Sequence, residues 1–284
     1  MSLSVQISIV TRTFNRPDLL ARVAKHLSSQ TYQNFEWIII NDGGDKESLE
    51  PALYEFAPLK PRIIVNKNNL GRGHSALIGM ETANGKYLLI HDDDDWLEYN
   101  ALENLFIKLE SSPSAVASIC GYNIHRSRKA LFSSSYKKTV TSVKVEMPPK
   151  LQDIAYQNSL LTISTLFRRD MAMACGGINP DLDVLEDWDL WLRLLLKGDM
   201  VVCPMVLANQ ELRPQESGYS ANTQRVDHLT AMIKIQNHHL RNDLNAGTAS
   251  LGVLLNPHNR NEFERIDYLL RMIQSFVRIF RFKN

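Results

Sequence analysis

The chain has 284 residues, 44% of them hydrophobic and 22% charged, with 32 Lys and Arg against 31 Asp and Glu. The apolar fraction excludes general disorder, and a chain of this length buries roughly 75% of its unfolded surface, so folding requires neither metal nor disulfides. A formal charge of +1 gives no global case for a nucleic-acid partner.

No uninterrupted apolar run of about 18 residues marks a membrane span. Cys120, Cys175 and Cys203 form no CxxC pair and read as buried thiols in a reducing compartment. With no basic-then-apolar leader at the N-terminus, the expectation is a cytoplasmic protein.

In chain order, Val5–Val10 is a β-branched run that reads as a buried strand. Asn15-Arg16-Pro17-Asp18 breaks it, and Leu19, Leu20, Val23 and Leu27 recur at helical spacing from Asp18 to about Gln30. Trp37–Ile40 is a second strand, ended by Asn41-Asp42-Gly43-Gly44. Leu49, Leu53 and Phe56 suggest a second helix, Ile63–Val65 a third strand, and Ser75–Ala83 another helix. Tyr87–Ile90 is a fourth strand running into His91 and the four aspartates Asp92–Asp95. Such alternation predicts βαβ units, a largely parallel sheet, and ligand chemistry at the carboxyl ends of the strands. The polar, turn-forming clusters fall at those ends.

The second half is less regular. Ala115–Ile124 contains a strand, Ser127–Lys150 suggests a mobile excursion or hairpin, and Ile163–Phe167 reads as a strand. Leu185–Arg193 has helical spacing, and from about Asn222 the chain is helical. His238 and His239 are adjacent, face different directions on a helix, and read as solvated.

Four consecutive aspartates at a strand end repel one another unless a cation or hydrogen-bond donors compensate. In a strand-like stretch Asp92 and Asp94 point the same way and can converge on one Mg²⁺ or Mn²⁺, completed by water and substrate phosphate. A helix cap accounts for one of the four, Asp95, ahead of a helix starting near Tyr99. Glu186-Asp187, read alone, is an N-cap ahead of a core helix through Trp188, Trp191 and Leu195.

Five pieces in order resemble a family: Val10–Arg16, Ile38–Gly44, Asn69-Leu70-Gly71, Gly85–Trp96 and Glu186–Leu192. Together, from about Val5 to Tyr219, they make the chain similar to family-two glycosyltransferases of the GT-A fold. The resemblance implies an α/β domain over residues 1–220, with a Rossmann-like nucleotide-sugar half to about 115 and an acceptor half from 116. A helical extension, 221–284, follows.

It also implies roles. Thr11, Thr13 and Asn15 hold base and ribose, and Asp42 meets a uracil edge. Asp92, with Asp93, lies near the ribose or metal, and Asp94 ligates the metal. Asp187 is the general base beside Glu186, and Arg213 sits on a loop that reaches the diphosphate. The activity implied is inverting transfer from a nucleotide-diphosphate sugar, UDP-linked, to a glycan or lipid-linked acceptor in surface polysaccharide synthesis. A nucleotidyltransferase on a related fold and a non-catalytic nucleotide-sugar binding module are the alternatives. One departure stands out: the family's Ala-Arg-Asn-x-Gly run is replaced by Ser75-Ala76-Leu77-Ile78-Gly79.

At the C-terminus, Asp267, Arg271, Gln274, Arg278 and Arg281 oppose a face of Ile266, Leu269, Leu270, Ile273, Phe276, Val277 and Phe280. The amphipathic segment 260–284 suits two roles, packing on the domain or a second copy, and lying on an anionic membrane surface. The second would place the protein at the inner face of the membrane.

Overall fold

A computed structural model describes residues 5–47, 49, 59–129, 136–182, 184–212 and 225–247. The helix expected around Leu53 and Phe56, the loop carrying Arg213, and the segment 260–284 lie outside the described residues.

The first half is the expected parallel unit. Strand β1 (Ile7–Thr13) leads to helix α1 (Pro17–Ser28), which begins on a proline whose fixed φ suits a first helical turn. Strands β2 (Phe35–Asn41) and β3 (Arg62–Val65), helix α2 (Arg72–Thr82) and strand β4 (Tyr87–Asp92) follow. The spatial order β3-β2-β1-β4 is parallel throughout, with Arg12 of β1 in register with Asp92 of β4.

Successive side chains of these strands enter two apolar layers, as the two-residue period requires. Val10, Ile38, Ile40, Leu88 and Ile90 pack with Ala76 and Met80 of α2. Ile7, Ile9, Trp37, Ile39 and Leu89 pack with Leu20, Val23 and Leu27 of α1. Helix α2 lies so close that a Cβ at Gly79 would come within 2.2 Å of Val10. Only glycine fits there, and the contact sets the depth of α2 and thus of the loop that precedes it.

Beyond β4 the sheet becomes mixed, in the order β4-β8-β6-β9-β5. These strands are β5 (Trp96–Leu97), β6 (Ala117–Lys129), β8 (Thr165–Arg168) and β9 (Met200–Leu212). Strand β7 (Tyr136–Val143) pairs antiparallel with β6, so the segment after Ser127 holds a hairpin. Helices α3 (Ala101–Glu110), α4 (Leu151–Tyr156), α5 (Arg169–Ala174), α6 (Glu186–Leu195) and α7 (Arg225–Ala246) are the other α-helices among the described residues.

Several expectations need correction. Helix α2 starts at Arg72, ahead of Ser75, and α3 starts at Ala101 with Asn100 at its N-cap, so Asp95 caps no helix. The periodicity gives no strand over 200–212. There β9 carries Pro204 at a bulge, where the partner of β6 jumps from Cys203 at Cys120 to Val206 at Gly121. A proline inside an apolar run normally argues against a strand, and the bulge is what admits it. His239 is not solvated: it is buried, and its Nε2 lies 2.8 Å from Asp189 Oδ1. Trp188 and Trp191 are core residues, and the Trp188 indole donates to the Ile154 carbonyl at 2.6 Å.

Candidate active site

The carboxyl ends of β1, β2 and β4 and the N-termini of α2 and α6 enclose a cleft of about 580 Å³. Its lining includes Arg12, Thr13, Arg16, Asp42, Asn69, Arg72, Asp92 to Asp95, Asn158, Glu186 and Asp187. This is where an open α/β sheet binds ligands, outside the carboxyl ends of its parallel strands.

The β2 end is organised by Asp42. Its Oδ1 accepts from Asn66 Nδ2 at 2.7 Å and the Leu70 amide at 2.9 Å, and its Oδ2 from the Gly71 amide at 2.9 Å. A carboxylate accepts about four hydrogen bonds, so capacity for one more donor remains. Gly43 beside it has φ +81°, and a Cβ there would meet the Asn69 amide at 2.4 Å, so glycine lets the two loops touch.

The β4 end distributes its four aspartates among different partners. Arg12 Nε donates to Asp92 Oδ1 at 3.1 Å, Arg12 Nη2 reaches the same oxygen, and Arg72 Nη2 donates to Oδ2 at 3.0 Å. Burial would raise the Asp92 carboxyl, but the two guanidinium groups outweigh it and hold it well below the usual carboxylate range. Asp93 accepts from Thr13 Oγ1 at 2.8 Å and Arg16 Nη1 at 2.9 Å; burial nevertheless pushes its carboxyl up to about 6. Asp94 faces the cleft with Arg16 Nη1 at 3.9 Å. Asp95 is buried and accepts the Glu211 amide at 3.1 Å, which ties the acidic turn to β9. His91 is buried away from the cleft lining, and burial lowers it to about 4, so it is neutral at pH 7.

At the opposite wall the chain enters α6 through Leu185, whose φ of 60° is in the left-handed region. A bulky non-glycine residue there costs of order 1–3 kcal/mol. The abrupt turn sends the two acids to different partners: Glu186 accepts from Arg12 Nη1 at 2.5 Å, while Asp187 faces Asn158 Nδ2 at 3.3 Å. Burial first, then the neighbouring Glu186, push the Asp187 carboxyl up to about 6.

The structure does not bring every expected residue to the cleft. Thr11 is fully buried with its hydroxyl accepting from the Trp37 indole at 2.9 Å. Asn15, at φ 54°, accepts the Asp45 amide on Oδ1 at 3.2 Å and braces the β1 and β2 turns together. Asp189, on the same helix as Asp187, is outside the cleft lining and structural, held by Arg193 Nη2 at 2.6 Å. Arg12, Arg72 and Asn158 also line the cleft, and no motif in the sequence marks them for a role. Arg12 is the penultimate residue of β1, past the Val5–Val10 run, and its burial, which calls for buried anions, shows only in the fold.

Among the described residues no group of three or more His, Cys, Asp or Glu side chains is arranged as a ligand set. Mg²⁺ and Mn²⁺ do not require one, since one or two carboxylates plus water and substrate phosphate suffice. The hard oxygens of Asp94 fit such an ion. Asp92 would join only by exchanging a guanidinium partner.

The family model described as Glycosyl transferase family 2 matches residues 8–166, more than half of the 284. An uncharacterized glycosyltransferase of Haemophilus influenzae is 26% identical over 195 residues, covering 66% of this chain and 62% of that protein. The amylovoran biosynthesis glycosyltransferase AmsE of Erwinia amylovora is 27% identical over 199 residues, covering 70% and 71%. The crystal structure of S. aureus TarS 1–349 with UDP-GlcNAc superposes with a TM-score of 0.61 at 16% identity, over 83% of this chain and 66% of that one. The Pyrobaculum calidifontis mannosyltransferase PcManGT, with GDP-Man and Mn²⁺, gives 0.61 at 15%, over 84% and 65%. The chain spans 40% of the longer TarS chain. At these identities the structural likeness carries the fold, a GT-A type α/β architecture, and nothing finer.

Proposed function

The chain belongs to glycosyl transferase family 2, and from that premise we propose that it moves a hexosyl or N-acetylhexosaminyl group from a UDP-linked donor to a hydroxyl of a glycan or lipid-linked acceptor, with inversion. The observation that carries the reading is that Asp94 and Asp187 stand on the walls of one cleft, at the ends of elements remote in sequence. The AmsE relative, named for amylovoran biosynthesis, favours polysaccharide assembly as the setting.

Asp42 has one free acceptor position for a base edge, and Thr13 and Asp93 line the same end of the cleft for the nucleotide sugar. Thr11 and Asn15 act behind it, holding the turns. Arg213, outside the described residues, is assigned to the diphosphate by resemblance alone. Asp94, with Asp92 in exchange for a guanidinium, would hold the divalent ion, which supplies Lewis-acid stabilisation of the leaving diphosphate.

Asp187 takes the proton of the acceptor hydroxyl. The freed oxygen attacks the anomeric carbon as the bond to the diphosphate oxygen breaks, and the electron pair leaves with the nucleoside diphosphate. A carboxyl at about 6 is ionised at neutral pH yet more basic than an ordinary aspartate, which suits a general base. One displacement inverts the anomeric centre, and no second carboxylate is needed as nucleophile. Glu186, bonded to Arg12, serves as a brace for the base.

A thermal-shift screen of nucleotide sugars with Mn²⁺ tests the reading. A donor at 100 times its dissociation constant adds about 2.7 kcal/mol, and Asp94→Ala should remove the metal-dependent part. No shift with any nucleotide sugar would defeat the proposal.

A further inference from the structure

Arg12 joins three elements through one guanidinium. It donates to Asp92 at the end of β4, to Glu186 at the start of α6 at 2.5 Å, and to the Arg72 carbonyl at the start of α2 at 3.2 Å. Its own side chain is 6% exposed and that of Glu186 3%, so little solvent reaches either charge. A planar guanidinium can make these bonds at once in fixed directions, which a lysine ammonium on a flexible stem cannot.

The two anions it joins belong to the two halves of the cleft. Asp92 opens the acidic turn of Asp93 and Asp94, and Glu186 immediately precedes Asp187. Asp92 has a second guanidinium, since Arg72 holds its Oδ2 at 3.0 Å, whereas Arg72 Nε lies 3.9 Å from Glu186. Glu186 is therefore the partner that depends more on Arg12.

We propose that Arg12 is a positioning residue that fixes the N-terminus of α6, and so Asp187, against the acidic turn that ends β4. The inference rests on the reading of Asp187 as base and of the acidic turn as the donor side. Misplacing a reacting group by about 1 Å can cost about 10²-fold in rate. Loss of the bridge would thus lower kcat while leaving donor affinity near its native value, because Asp92 keeps Arg72.

The test uses the full chain labelled with fluorotryptophan. Trp188 follows Asp187 and reports on the start of α6 without touching Asp92; its resonance is assigned with Trp188→Phe among the four tryptophans. Asp92→Asn should move the Trp188 resonance in the native background and leave it in place in Arg12→Met. Arg12→Lys, which keeps the charge if Arg12→Met fails to fold, should be equally uncoupled. An equal response with and without Arg12, recovery of the response by lysine, or no response in the native background would each overturn the proposal.

A second arm measures UDP affinity with Mn²⁺ alongside turnover. Native affinity with kcat reduced about 10²-fold is expected, and a parallel loss of both would assign Arg12 to the fold alone. If UDP binds neither native nor variant protein, the donor reading fails while the resonance cycle still decides whether the bridge transmits.

Discussion

The amide nitrogen of Asn158 stands 3.3 Å from each carboxylate oxygen of Asp187. Its donation steadies the charged form and offsets part of the upward push from burial and from Glu186. Asn158→Ala should therefore raise the Asp187 carboxyl above about 6. A base with a higher pKa is protonated over a wider acid range, so the acid limb of kcat/KM against pH should move to higher pH. An unmoved limb would remove either Asn158 as the neighbour that matters or Asp187 as the titrating base.

The same elevation makes Asp187 a liability to the fold. Its ordinary value is 3.8 and its folded value about 6. For a carboxyl raised on folding, the native state binds the proton more tightly, so stability from this group falls as pH rises from about 4 to 6. At pH 7 the folded protein carries the full cost of the buried charge, about 1–3 kcal/mol after allowing for its access to the cleft. Asp187→Asn should raise Tm at pH 7 and gain little near pH 4, while turnover collapses. A lower Tm at pH 7 would show that the anion is better accommodated than its burial implies.

The parallel half of the fold and the acidic rim of the cleft are legible in the sequence. The short apolar runs Val5–Val10, Trp37–Ile40 and Tyr87–Ile90 read as parallel strands, because each gives way to a polar, turn-forming cluster. Asp92 and Asp94 stand out by strand alternation at the end of an apolar run, whereas Asp42 and Asp187 gain their roles only through the family resemblance. What could not be read was pairing. Arg12 is 174 residues from Glu186 in the chain, and nothing local distinguishes an arginine bound to that acid from one facing water. Thr11 and Asn15 show the converse: Thr11 shares a face of β1 with Thr13, but it lies inside the sheet under Trp37, and only Thr13, the last residue of the strand, reaches the cleft. Strand β9 was hidden by Pro204, whose bulge is set by the register of β6 and not by its own segment.

Asp42 is expected to matter twice. Three donors, Asn66 Nδ2 and the amides of Leu70 and Gly71, converge on its carboxylate. Asp42→Ala leaves part-buried donors unpaired, at about 1–3 kcal/mol for each that water cannot reach. A drop in stability of roughly 2–4 kcal/mol by urea unfolding is the expected outcome. Asp42→Asn keeps an acceptor oxygen and should recover part of it, yet should still weaken UDP binding if the remaining acceptor position meets the base. Full UDP affinity in Asp42→Asn would leave Asp42 with the loop alone.

Helix α7 is fastened to the catalytic wall by His239, buried against Asp189, while Asp189 also holds Arg193 at 2.6 Å. Burial opposes ionisation of Asp189, but the His239 bond and the Arg193 charge hold its carboxyl below the usual range. A carboxyl depressed on folding stabilises above its unfolded value, about 3.9, and that contribution disappears as pH falls through the lower folded value. His239→Ala removes one of the two partners and should loosen α7 by about 1.5–3 kcal/mol, the range for hydrogen bonds to charged groups. Because Ala231 and Ile235 remain buried, the opening should be confined to the C-terminal turns of α7. Hydrogen exchange would then be faster from His239 to Ala246 and unchanged in α6. Equal acceleration in both helices would mean that Asp189, rather than α7, is what His239 holds in place.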